Sequence, residues 1–153
     1  MIKTLKTYPL LSQEDTKTLA TELAKITQKG DIFLLEGDLG AGKTTFARFF
    51  IRSFLGDDIE IPSPTFTLVQ TYITPQFLIW HFDLYRIEDE DDLRELGLEE
   101  ALYSGISLIE WPERLGSHKP ARCITFKFEM KEDTRQVTLE TFGYWEARFD
   151  SLL

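Results

Sequence analysis

Apolar positions return along this chain with two periods, near 3.6 and 2, and the switches between them outline its elements. Leu19, Ala20, Leu23 and Ala24 recur at helical spacing behind Ser12 and Asp15, which resemble an N-terminal capping arrangement, and Gly30 is a natural stop. IFLLEG then reads as a short buried strand. A glycine-rich loop follows, and after it Phe46, Phe50 and Phe54 join Ala47, Ile51 and Leu55 in a broad helical stripe that Gly56 should end. TFTLVQTY and FLIWHFDLY are strand-like runs separated by Ile73-Thr74-Pro75-Gln76, the pattern of a hairpin. The acids from Glu88 to Asp92 form a solvated entry to a helix around residues 91–103. ISLIEW is another buried strand, and CITFKFEM with RQVTLETFG makes a second hairpin. Trp145, Phe149, Leu152 and Leu153 predict a short amphipathic C-terminal helix. A strand-loop-helix unit followed by hairpins implies a three-layer α/β fold with a mixed, partly antiparallel sheet.

Composition narrows the function more than the fold. A chain of 153 residues that is 42% hydrophobic, with twelve Phe, predicts a single packed domain over residues 1–153. The net charge of −9, from 17 basic and 26 acidic side chains, offers no excess for binding nucleic acid unaided. Cys123 is alone, so it has no internal disulfide partner, and His81 and His118 lack metal-ligand spacing. No apolar run suits a signal peptide or a membrane span, and the expectation is a soluble, cytoplasmic protein.

The loop between the first strand and the Phe-rich helix carries the chemistry. Gly37-Asp38-Leu39-Gly40-Ala41-Gly42-Lys43-Thr44 matches G-x-x-x-x-G-K-[ST] in full, with Thr45 following. Glycines allow a tight turn whose amide hydrogens converge on phosphate oxygens, and the helix N-terminus adds positive potential there. Lys43 supplies a mobile cation and Thr44 a hydroxyl suited to Mg²⁺. The plainer reading is a glycine-rich turn with a surface lysine, but the preceding apolar strand and following helix favour a P-loop NTPase-like domain. Neither a D-x-x-G switch nor an [NT]-K-x-D guanine reader is present, which favours ATP over GTP.

A P-loop needs further acids for Mg²⁺ and its waters. Glu110 ends the apolar run ISLIE, where a metal-directed carboxylate is expected. In WHFDLYR, alternation sets His81, Asp83 and Tyr85 on one face. Such a face is more often the polar side of a half-buried strand, so Asp83 is a site residue only beside the loop. Thr65 in Ser63-Pro64-Thr65 can act as a switch threonine or serve as a proline-shaped strand entry. Arg48 and Arg52, one turn apart, are read as solvated in preference to a partner-facing pair.

GDLGAGKTT, SPTFTLVQTY, HFDLYR and IEWPERL, in this order and spacing, resemble the TsaE (YjeE) family of bacterial P-loop ATPases. Members are needed to make N6-threonylcarbamoyladenosine (t6A) at position 37 of tRNAs that read codons beginning with A. The resemblance implies that Gly40 to Thr45 wrap the phosphates of ATP, while Thr44 and Glu110 coordinate Mg²⁺. It also implies that Thr65 and Asp83 lie near the γ-phosphate, that Trp111 lines the site, and that Ser12 and Arg135 approach base or ribose. Lys43, Thr65, Asp83 and Glu110 are then the catalytic set. The implied partners are the TsaB and TsaD transferase proteins, with tRNA reached only through them. Two other readings stay open: a small P-loop kinase, disfavoured for want of an arginine-rich lid, and a nucleotide-dependent binding switch with negligible turnover.

Overall fold

The computed structural model of the protein describes residues 2–142 and 144–152; Gly143 and Leu153, both within the runs read above, lie outside them. Seven strands form one sheet in the order β1-β7-β6-β2-β5-β4-β3. Its centre is parallel: β2 (Ile32–Glu36) lies between β6 (Ile124–Lys131) and β5 (Ile106–Glu110), and β4 (Leu78–Asp83) runs parallel beyond β5. The margins are antiparallel, with β3 (Val69–Ile73) on β4, and β7 (Thr134–Phe142) bridging β6 to β1 (Ile2–Leu10). The expected mixed sheet is therefore present.

Buried strands need apolar residues toward both layers, and IFLLE supplies them. Phe33 and Leu35 pack with Phe46, Phe50, Phe126 and Phe128 beneath α1 (Gln13–Ile26) and α2 (Lys43–Leu55). Ile32 and Leu34 face the other way and meet Phe82, Ile109, Leu93 and Leu98. That second layer is α3 (Leu98–Ser104) with the 3₁₀ helices Glu90–Leu96 and Pro112–His118. Both layers are nearly dry: Phe33, Phe46, Phe50, Phe82 and Ile109 are fully buried. Burying one such phenyl or branched side chain is worth about 1.5–3 kcal/mol, so this double core dominates the fold.

Several sequence expectations need correction. The helix expected over 91–103 breaks at Gly97, whose φ of +80° ends the 3₁₀ turn and starts α3; a Cβ there would meet the Trp80 ring at 3.1 Å. α1 stops at Ile26 rather than Gly30, because the Thr27 hydroxyl donates to the Leu23 carbonyl at 2.7 Å while its backbone turns extended. Ser12 occupies the N-cap without a side-chain cap bond, and Asp15 instead accepts from the Leu11 amide at 2.9 Å. The run TFTLVQTY is strand only from Val69; the Leu68 amide bonds Pro64 O at 2.7 Å and makes the preceding residues a turn. The C-terminal element is 3₁₀ (Ala147–Leu152), held by Arg148, which donates to both oxygens of buried Asp31 at 2.5 Å. β1 was not expected from the pattern at all.

Candidate functional site

The chain leaves β2 at Glu36 and must reverse sharply to enter α2. Gly37, Gly40 and Gly42 have φ of +146°, +80° and +115°, a region that side-chain-bearing residues rarely adopt. Gly37 is also pressed on β6, where an added Cβ would lie 2.5 Å from the Phe128 carbonyl oxygen. Gly37→Ala should therefore lower unfolding free energy by about 1–3 kcal/mol and distort the loop; urea denaturation matching wild type would contradict this. Gly42 is the residue before the helix, and the first helical bond runs from the Phe46 amide to Gly42 O at 3.0 Å. The amides of the first turn thus point free of the helix, toward the mouth of the loop.

Lys43 is only 4% exposed and, among the described residues, forms no ion pair within 4 Å. Its ammonium donates to the Gly37 carbonyl and sits 3.6 Å from the centroid of the Trp111 ring. Burial pushes its pKa down, while the charges of Glu110, Glu113, Asp83 and Asp38 push it back up. On the next residue, the Thr44 hydroxyl donates to Glu110 Oε1 at 2.7 Å. Glu110 stands beside Asp83 because β4 and β5 run parallel with those residues in register. Both acids are buried at the carboxyl ends of neighbouring strands, the crevice where open α/β sheets bind ligands. Asp83 Oδ2 accepts from Thr65 at 3.3 Å and its Oδ1 from the Tyr85 amide at 3.0 Å; Ser63 and Thr65 hydroxyls share a 2.8 Å bond.

These groups surround a cavity of about 380 Å³, lined by Leu39 to Thr45 together with Ser12, Thr65, Asp83, Glu110, Trp111 and Arg135. Arg135 closes one side, its Nε donating to Gly40 O at 3.3 Å across 95 residues of sequence. Ser12 stands at the entry to α1. Trp111 adopts φ +58°, turning its ring back over the loop, where Tyr85 meets it at 4.9 Å. Gly37 and Asp38 are the exceptions among the expected phosphate-binding residues. They do not line this cavity and instead border an adjoining groove, because Gly37 is used to make the turn.

Sequence reasoning missed three participants. His81 is fully buried and its Nε2 lies 2.6 Å from Glu110 Oε2. The alternation in WHFDLYR pointed it to the face of Asp83, yet only the β4–β5 register brings it to Glu110. Arg48 and Arg52, read as solvated, donate from Nε to the carbonyls of Ile61 at 2.9 Å and Ile59 at 3.0 Å. They fasten to α2 the segment that leads into Ser63-Pro64-Thr65.

The donor set suits a magnesium nucleotide. A buried ammonium without a carboxylate partner among the described residues fits a phosphate, and a hydroxyl bonded to a carboxylate is hard oxygen chemistry. Among the described residues, no group of three or more His, Cys, Asp or Glu side chains is placed to hold a metal by itself.

Comparison with known proteins adds ancestry to this geometry. The family model described as threonylcarbamoyl adenosine biosynthesis protein TsaE matches residues 10–137. The tRNA threonylcarbamoyladenosine biosynthesis protein TsaE of Rickettsia bellii is 44% identical over 135 residues, covering 88% of this chain and 94% of that protein. Its namesake in Bacillus subtilis is 35% identical over 144 residues, covering 93% and 89%. The Rickettsia felis protein is 52% identical over 104 residues, 68% of this chain, and the chain spans only 61% of that relative's length. Among solved structures, Bacillus subtilis YdiB superposes with a TM-score of 0.73 at 28% identity, covering 99% of this chain and 93% of that one.

Proposed function

The chain belongs to the TsaE family of tRNA threonylcarbamoyladenosine biosynthesis proteins, and from that premise we propose that it is a Mg²⁺-dependent ATPase working with the TsaB/TsaD transferase complex. One observation carries the reading: Thr44 of the loop is bonded to Glu110, and Glu110 lies in strand register with Asp83, so P-loop and both acids face one cavity. The chain's part is the nucleotide cycle, and the transfer of threonylcarbamoyl belongs to its partners.

The residues divide the work by chemistry. Amides of the α2 first turn and the Lys43 ammonium neutralise the outer phosphates, which requires Lys43 to exchange the Gly37 carbonyl for phosphate oxygen. Mg²⁺ held at Thr44 and Glu110 would neutralise developing charge on the phosphate oxygens. Asp83 orients the Thr65 hydroxyl toward the γ-phosphate side and is placed to order the attacking water. Trp111 covers the lysine and limits solvent at its head.

Asp83→Asn should reduce ATP turnover about 10-fold or more, because an amide cannot accept from both Thr65 and the Tyr85 amide as a carboxylate does. Phosphate release at the wild-type rate would return HFDLYR to a purely structural role. The whole reading is tested by reconstitution with the transferase pair, tRNA and threonylcarbamoyl-adenylate. Repeated rounds of t6A formation that need this chain and ATP are expected. Undiminished rounds in its absence would refute the proposal, and label passing from ATP to a small acceptor would identify a kinase.

A further inference from the structure

Glu110 has two oxygens and only one of them is engaged by the P-loop. Oε1 accepts from Thr44, while Oε2 faces His81 Nε2 at 2.6 Å, a charge-assisted bond between two side chains that solvent does not reach. His81 Nδ1 is buried and has no hydrogen-bond partner among the described residues. A ring proton has an acceptor on Nε2 and none on Nδ1, so the Nε2–H tautomer is the one this pocket favours. The ring is fixed by the sheet: His81 is paired with Gln70 on β3 and with Leu108 on β5, two residues before Glu110. Nothing else among the described residues donates to Oε2.

We propose that His81 is a positioning residue, whose Nε2–H locks the Glu110 carboxylate in the rotamer that presents Oε1 to Thr44, the pair of side chains that would hold the metal. The proposal rests on the reading of Thr44 and Glu110 as the Mg²⁺ site. A carboxylate held by one donor alone can turn about its last torsion, and the hydroxyl it orients turns with it. Donors behind a metal-directed ligand typically change metal affinity by about 10- to 100-fold when removed. The lock concerns the ion and leaves the metal-free phosphate grip of the loop alone.

The test separates these two affinities by calorimetry with AMPPNP, titrated in EDTA and across a MgCl₂ series. His81→Gln keeps an amide N–H near the position of Nε2, His81→Asn is too short to reach Oε2, and His81→Phe keeps the ring volume without a donor. Expected is an apparent Mg²⁺ affinity within about 3-fold of wild type for Gln, and weaker by about 10- to 100-fold for Asn and Phe. AMPPNP affinity in EDTA should stay the same in all four proteins. If Asn and Phe keep wild-type Mg²⁺ affinity, or lose Mg²⁺-bound and Mg²⁺-free affinity equally, His81 is only a packing residue. Should one of these two fail to fold, the other carries the comparison with Gln. A wild-type protein whose AMPPNP affinity ignores Mg²⁺ removes the metal reading of Thr44 and Glu110, and the proposal with it.

Discussion

Lys43→Ala is expected to weaken ATP binding by about 30-fold or more, while leaving thermal stability near that of wild type. The two halves have one cause. In the free protein the ammonium is buried beside a carbonyl and an aromatic face, with no ion pair among the described residues, and burial already presses its pKa down. Deleting it removes a desolvation cost along with two modest contacts, so the net effect on folding is small. With phosphate present the same ammonium makes charge-assisted bonds in a site screened by Trp111. Truncating one partner of such a pair costs about 2–5 kcal/mol, which is roughly 30- to several-thousand-fold in affinity. Calorimetric titration with ATP and Mg²⁺ checks the first half and a thermal melt the second. Unchanged affinity would remove the P-loop assignment, whatever the melt shows.

Glu110→Gln should behave differently, lowering ATP turnover by about 100- to 1,000-fold with nucleotide affinity changed only a few-fold. Gln has the same shape, so the layer beneath it is undisturbed. Its amide, however, brings a donor into a place where both neighbours now donate: the Thr44 hydroxyl at 2.7 Å and His81 Nε2 at 2.6 Å. Either the threonine must rotate its proton away or the imidazole must move its own to the unpartnered Nδ1. In the first case the hydroxyl loses the orientation that a metal requires, and in both the metal-directed carboxylate becomes a neutral amide. Steady-state phosphate release measures the loss, and the reconstituted t6A assay gives it meaning. The substitution should stop repeated rounds of modification. Should it sustain them without hydrolysis, nucleotide binding alone drives the partners and the switch reading replaces the ATPase reading.

The legible parts of this protein are those whose signal is local. GDLGAGKT declares itself within eight residues, and IFLLE or ISLIE needs only its own run of buried positions to be read as a strand. That Glu110 ends such a strand was visible too, since an acid closing an apolar run stands out. The parts that were not legible depend on register between distant segments. His81 meets Glu110 only because β4 and β5 are parallel with Asp83 opposite Glu110. Arg48 and Arg52 looked solvated because their acceptors are backbone carbonyls, which leave no mark in side-chain pattern. Asp38 and Gly37 were assigned to phosphate by motif membership, and the β2–α2 turn sets them on the groove adjoining the cavity. β1 hid for another reason: its register slips between Thr4 and Lys6, which interrupts the alternation that would reveal it.

That slip has a bearing on how the protein behaves among copies of itself. β1 is the last strand on its side of the sheet, so one row of its peptide groups faces outward, ready to accept a further strand. Along that margin the chain sets Lys3 and Lys6, both exposed, and then Pro9, which has no amide hydrogen to offer. The register shift between Thr4 and Lys6 interrupts the regular ladder that an incoming strand would extend. A second chain approaching there meets like charges, a missing donor and an interrupted template. Growth of the sheet by addition is thereby discouraged at this flank.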